Sequence, residues 1–132
     1  MNGGSAMEQT LVLQGPQKTI LVVDDDESVL SFVSGLLVRR NYSVITAKSG
    51  PEGLEQSRTY NSEIHLLLTD FQMPEMNGLD LATRLNRERP QIKVLLMSGF
   101  SDGMLVRNEG WHFIAKPFVK SQLCALVSGL IG

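Results

Sequence analysis

The sequence predicts an α/β fold: a doubly wound parallel sheet of five strands with helices on both faces. Three observations carry this expectation. Two apolar runs, Ile20-Leu21-Val22-Val23 and Leu66-Leu67-Leu68-Thr69, stop abruptly in aspartates, Asp24-Asp25-Asp26 and Asp70. Continuous runs of this kind mark strands buried on both faces, as parallel strands are beneath covering helices. Short runs of strand character then alternate with stretches whose apolar residues recur at helical spacing, which is the pattern of βαβ units. Finally, the connections are short, and right-handed crossovers leave few topologies for them.

Bulk properties bound the answer. A chain of 132 residues is long enough for one domain with a real core and too short for two. Its hydrophobic fraction of 42% is ordinary, and its formal charge of -2 argues against nucleic acid or a membrane surface as a direct partner. No apolar stretch approaches the roughly 20 residues of a membrane helix. The first residues lack the basic start and apolar middle of a signal peptide. The single cysteine, Cys124, excludes an internal disulfide framework and fits a reducing, cytoplasmic location.

Residues 1–17 contain Gly3-Gly4-Ser5 and Gly15-Pro16 and show no sustained period, so they read as a leader or linker. Leu11-Val12-Leu13-Gln14-Gly15-Pro16 is also similar to an engineered viral-protease cleavage site. The domain proper is expected over residues 18–132. Its first strand covers residues 19–24, and a helix over residues 27–39 carries Val29, Val33, Leu36 and Leu37 at helical spacing, with aspartates at its positive end. Residues 42–47 are short and β-branched, the second strand. Ser49-Gly50-Pro51 opens the second helix, because serine caps well and proline is tolerated in a first turn. The third strand spans residues 65–70, and a turn on Pro74 and Gly78 leads into a helix with Leu79, Leu81, Ala82 and Leu85 on one side and Pro90 just past its end. Residues 93–97 form the fourth strand, ending at Ser98-Gly99. A short fourth helix opens at Ser101-Asp102 and is closed by Gly110. Residues 112–115 form the fifth strand, ending at Lys116-Pro117, and Leu123, Leu126, Val127 and Leu130 make the inner face of a last helix.

The strand ends collect the chemistry. Asp24, Asp25, Asp70, Ser98 and Lys116 all stand on the carboxyl rim of such a sheet, where open α/β folds place their ligands. With strands ordered 2-1-3-4-5, the flavodoxin-like arrangement, the tips of strands one and three meet at the topological switch point. Three carboxylates there repel one another and raise each other's proton affinity unless a cation intervenes. An all-oxygen set with room for water suits Mg²⁺ or Mn²⁺ rather than zinc. Lys116 and Ser98 supply an opposite charge and a hydroxyl, both apt for a phosphoryl group. An aspartate beside a metal, a lysine and a hydroxyl is equipped to attack phosphorus, so the residues describe an aspartyl-phosphate site.

From Lys18 to Gly132 the chain resembles the receiver domain of two-component response regulators. The resemblance rests on Val22-Val23-Asp24-Asp25, Thr69-Asp70-Phe71-Gln72-Met73-Pro74-Glu75-Met76-Asn77-Gly78, Met97-Ser98-Gly99 and Ala115-Lys116-Pro117-Phe118, in that order. It implies Asp70 as phosphoacceptor, Asp24 and Asp25 as Mg²⁺ ligands, and the Gln72 backbone carbonyl as a further ligand. It implies that Ser98 and Lys116 bind the phosphoryl oxygens, that Ser98 and Phe113 act in the switch, and that the Lys116-Pro117 bond is cis. It further implies a histidine kinase or histidine phosphotransfer protein as donor, with a homodimer among the assemblies allowed. The wording around Ser98 and Lys116 is most similar to receivers attached to hybrid sensor histidine kinases. The segment from Ser98 to Lys116 is shorter than the family's usual one, so the fourth helix, part of the family's output surface, is expected to be shortened. With no effector domain expected after Gly132, output is expected through a partner, another part of a longer parent chain, or withdrawal of phosphate.

Two rival functions meet specific obstacles. A phosphohydrolase using Asp70 as nucleophile would have a second acid two residues on, where Gln72 stands. A flavodoxin-like cofactor binder would have a Ser/Thr/Gly-rich loop after strand one, where aspartates would repel a flavin phosphate. Asp26 and Glu27 read as helix-start charges, and His65 and His112 as strand residues without chemistry. Cys124 reads as a small buried apolar residue, and Trp111 as a packing or edge residue. Gln72 and Phe100 flank the pocket, where they would hinder water.

Overall fold

A computed structural model describes residues 17–99 and 111–132. The proposed leader up to residue 16, and the short fourth helix expected over residues 101–110, lie outside the described residues. The elements run β1 (Thr19–Val23), α1 (Glu27–Arg39), β2 (Ser43–Ala47), α2 (Gly50–Thr59), β3 (Leu66–Asp70), α3 (Gly78–Glu88), β4 (Lys93–Ser98), β5 (Trp111–Ala115) and α4 (Lys120–Ile131), the last helix. All strand pairs are parallel and the order is β2-β1-β3-β4-β5, as the sequence predicts.

Alternation along each strand builds two cores. Ile20, Val22, Leu66, Leu68, Leu95 and Met97 face α1 and α4, meeting Val33, Leu37, Leu123 and Val127. Their neighbours Leu21, Val23, Leu67, Val94 and Leu96 face α2 and α3, meeting Leu54, Leu81, Ala82 and Leu85. The central strands β1 and β3 are buried at every position. Burying each such leucine or isoleucine contributes about 2 kcal/mol. Leu30, absent from the predicted stripe of α1, is buried, whereas Val29 is only half-buried.

The helix ends follow local chemistry. Asp26 caps α1 by accepting the Ser28 N–H at 2.9 Å, Ser49 caps α2 through the Glu52 N–H at 3.2 Å, and Asn77 caps α3 through the Asp80 N–H at 2.8 Å. Val119 precedes α4 without a capping oxygen, and the Gln122 side chain instead reaches back to its backbone N–H at 3.1 Å. Asn41 turns the chain after α1 with φ of 73°, a conformation that asparagine tolerates better than most residues. Five predicted strand boundaries shift by one residue: β1 ends at Val23 rather than Asp24, β2 starts at Ser43 rather than Tyr42, β3 starts at Leu66 rather than His65, β4 runs on to Ser98, and β5 starts at Trp111 rather than His112. His65 instead accepts the Thr19 N–H on Nδ1 at 3.0 Å, serving the strand edge with its side chain.

Candidate functional site

The register sets the site. Val23 lies opposite Thr69, Asp70 opposite Met97, and Ser98 opposite Ala115, so the tips of β1, β3, β4 and β5 end on one rim. Asp24 follows β1 and is fully buried. Its backbone N–H donates to the Ala47 carbonyl at 3.2 Å, and its Oδ1 accepts the Asp26 N–H at 2.8 Å, which fixes the carboxylate. Asp70 ends β3 with only 9% of its surface exposed. Phe71 N–H donates to the Met97 carbonyl at 2.8 Å, holding the strand end against β4.

Lys116 closes the cluster from β5. Its Nζ lies 3.2 Å from Asp24 Oδ2 and 3.1 Å from Asp70 Oδ1. Carboxylate oxygens of Asp24, Asp25 and Asp70 all fall within 4.8 Å of one another, with Asp25 exposed and the other two buried. Burial, and then the charge of Asp24, push the Asp70 carboxyl above the ordinary aspartate range, against the lowering effect of Lys116. Burial disfavours the Lys116 charge, but Asp24 and Asp70 outweigh it and hold the ammonium above its usual range. Close, partly buried oxygens that resist sharing negative charge form a site that can hold a cation.

The remaining predicted residues gather around this centre. Ser98 is buried at the end of β4, and its carbonyl accepts the Lys116 N–H at 2.8 Å. Phe113 is half-buried in β5, and Gln72 is exposed in the loop after Asp70. That loop borders an open cleft of about 420 Å³ lined by Phe71, Gln72, Met73, Pro74 and Asn77, with none of the carboxylates in its lining. The Lys116-Pro117 peptide is cis. Phe100, expected to flank the pocket with Gln72, lies outside the described residues. Asp26 is a helix cap, as the sequence implies, but its backbone N–H also positions Asp24. Thr69, whose hydroxyl donates to the Asp70 carbonyl at 3.0 Å, carries no motif signal apart from its place beside Asp70.

Comparison with known proteins decides the family. The family model of the response regulator receiver domain matches residues 20–128. The chain belongs to this family. The sensor kinase CckA of Brucella abortus (strain 2308) is 32% identical over 117 residues, which is 86% of this chain and 12% of that protein. The two-component response regulator ORR3 of Oryza sativa subsp. indica is 33% identical over 128 residues, 92% of this chain and 97% of the rice protein. A response regulator receiver domain protein from Clostridium thermocellum superposes with a TM-score of 0.79 at 28% identity, covering 86% of this chain and 94% of that one. Several curated relatives are much longer, the receiver spanning between 12% and 48% of their length. Among the described residues no helix is long and apolar enough to cross a membrane.

Proposed function

We propose that this receiver takes a phosphoryl group from a phosphohistidine donor, a histidine kinase or a histidine phosphotransfer protein, onto Asp70. The observation that carries the reading is the position of Asp70: buried at a strand tip, 3.1 Å from Lys116 Nζ and grouped with Asp24 and Asp25. A carboxylate oxygen of Asp70 attacks phosphorus, the donor's P–N bond breaks with its electron pair returning to nitrogen, and the imidazole leaves neutral because its other ring nitrogen already carries a proton. Lys116 and the Ser98 hydroxyl bind the phosphoryl oxygens, which carry the charge of the transition state. Asp24 and Asp25, with the Gln72 backbone carbonyl and Asp70 itself, would hold Mg²⁺ or Mn²⁺, an all-oxygen set suited to those ions. Bound there, the ion would neutralise charge shared by the carboxylates and the phosphoryl group.

Phe113 and Ser98 serve the switch that follows phosphorylation, and the only chemistry ascribed to the chain is self-phosphorylation and self-dephosphorylation. The working unit is residues 18–132, acting in the cytoplasm without direct contact with nucleic acid or membrane, as a monomer or homodimer. Gln72 supports this reading over a phosphohydrolase, since it stands where a second catalytic acid would be needed. The test is labelling by a small phosphodonor in Mg²⁺. Wild type should form an acid-stable, base-labile aspartyl phosphate, and Asp70→Asn, nearly isosteric but unable to attack, should form none. Label persisting in that variant would overturn the assignment.

A further inference from the structure

The loop from Phe71 to Asn77 joins the Asp70 strand tip to α3 and buries two side chains, Met73 and Met76, the latter with only 8% of its surface exposed. Met76 seats on Gly50, the buried first residue of α2. A Cβ built on Gly50 would lie 2.8 Å from both Met76 Cβ and Sδ and 3.0 Å from Cγ. A clash with Sδ alone could be relieved by rotating the side chain. Cβ is fixed to the backbone, so relief at 2.8 Å moves the loop itself.

Both sides of this contact are stiff. In the loop, Met76 N–H donates to the Pro74 carbonyl at 2.7 Å, Glu75 has φ of 70°, and Gly78 N–H donates to the Phe71 carbonyl at 2.7 Å. A shift at Met76 therefore carries back towards Gln72. On the α2 side, Gly53 N–H donates to the Ser49 carbonyl at 2.9 Å, and Glu52 Oε1 accepts the Lys48 N–H at 2.8 Å. Lys48 also forms an ion pair with Glu27, which follows the aspartates of the β1 tip. The contact thus ties the loop after Asp70 to the segments that follow β1 and β2.

We infer that Met76, seated on Gly50, is a positioning residue that sets the Gln72 backbone carbonyl for cation binding. This inference rests on the reading of Gln72 as a metal ligand. Groups that orient a ligand typically alter metal affinity by about tenfold or more when changed. The test is calorimetric titration of Mg²⁺ into the full chain as wild type, Gly50→Ala, Met76→Ala and the double variant, with melting temperatures taken without metal. Gly50→Ala should weaken Mg²⁺ binding about tenfold, and Met76→Ala should cause a smaller loss by freeing the loop. The double variant should lose less than the product of the two single losses, because alanine at position 76 keeps the Cβ that the added methyl meets but not the Cγ and Sδ, and a loop already freed resists the shift less; such non-additivity marks residues in direct contact. A loss in the double variant equal to the product of the single losses would overturn the inference, as would wild-type affinity in Gly50→Ala. If Gly50→Ala does not fold, Met76→Ala decides alone, and wild-type affinity there overturns the contact's role. A wild type that binds no Mg²⁺ would overturn the phosphoryl-transfer reading itself, and this inference with it.

Discussion

Lys116 touches two carboxylates that would otherwise repel one another, and one of them, Asp24, is fully buried. Removing one partner of a buried pair leaves an uncompensated charge, so Lys116→Met should destabilise the metal-free protein by about 2 kcal/mol. Mg²⁺ should restore most of that loss by supplying a replacement cation. Equal destabilisation with and without Mg²⁺, measured by denaturant unfolding, would show that the lysine acts through packing instead. Asp25 is the exposed member of the acidic group. Asp25→Ala should weaken Mg²⁺ binding severely while the metal-free melting temperature holds or rises, because one source of repulsion is gone. A clear fall would mark Asp25 as structural. Asp70 adds a pH dependence. Burial and Asp24 raise its proton affinity in the folded state, so the fold binds the proton more tightly than the unfolded chain does. Stability from this group is fully present below the ordinary aspartate range and declines as pH rises through the raised value. Metal-free Asp70→Asn should therefore gain on wild type as pH increases, and parallel stability curves from pH 4 to pH 7 would contradict this.

Among the elements, α3 starts directly against the Asp70 backbone. A Cβ on Gly78, its first residue, would lie 2.2 Å from the Asp70 carbonyl oxygen and 3.0 Å from the Phe71 Cα. Both are backbone atoms that cannot swing aside, so Gly78→Ala should cost about 2 kcal/mol and displace the nucleophile as well. Its labelling rate in the phosphodonor assay should fall even where the variant remains folded. The far end of α3 supports a different neighbour. The Arg89 guanidinium donates to the Ser57 hydroxyl at 2.8 Å, to the Ser57 and Tyr60 carbonyls at 2.8 Å each, and to the Ser62 carbonyl at 2.9 Å. It adds a charged donor to carbonyls at the C-terminal end of α2, beside the Tyr60 N–H that donates to the Ser57 carbonyl at 3.3 Å, and hydrogen bonds from a charged donor are the stronger kind. Arg89→Met should cost about 3 kcal/mol without changing Mg²⁺ affinity, because the contact lies away from the carboxyl rim. A weaker Mg²⁺ affinity in this variant would show that α2 transmits strain to the site.

At the scale of the molecule, both faces of one sheet are packed, and a cation bound at its rim would stabilise the fold that gathers its ligands. Mg²⁺ at a hundred times its dissociation constant should add about 2.7 kcal/mol to stability, since the unfolded chain does not gather the three carboxylates. That gain should appear as a concentration-dependent rise in melting temperature for wild type and vanish in Asp25→Ala. A melting temperature unaffected by Mg²⁺ in wild type would contradict a preformed cation site on this rim.

Strand identity and the acidic rim were legible in the sequence because both rest on local pattern. Apolar runs ending in aspartate specify buried strands and place Asp24, Asp25 and Asp70 at their tips, and Ser49 and Asp26 announce helix starts through chemistry confined to a few residues. The expected strand order and site residues came from the same patterns read together with the family resemblance. Other features depend on distances between segments far apart in the chain. Lys116 bridges Asp24 and Asp70, 92 and 46 residues away, and Arg89 caps a helix some 30 residues before it. Met76 meets Gly50 and Gly78 presses on Asp70 for a similar reason: a glycine's lack of a side chain acquires meaning only when another segment occupies the space. Periodicity determines which face of an element is buried, but the particular atom it rests against is settled only when the sheet and helices pack together.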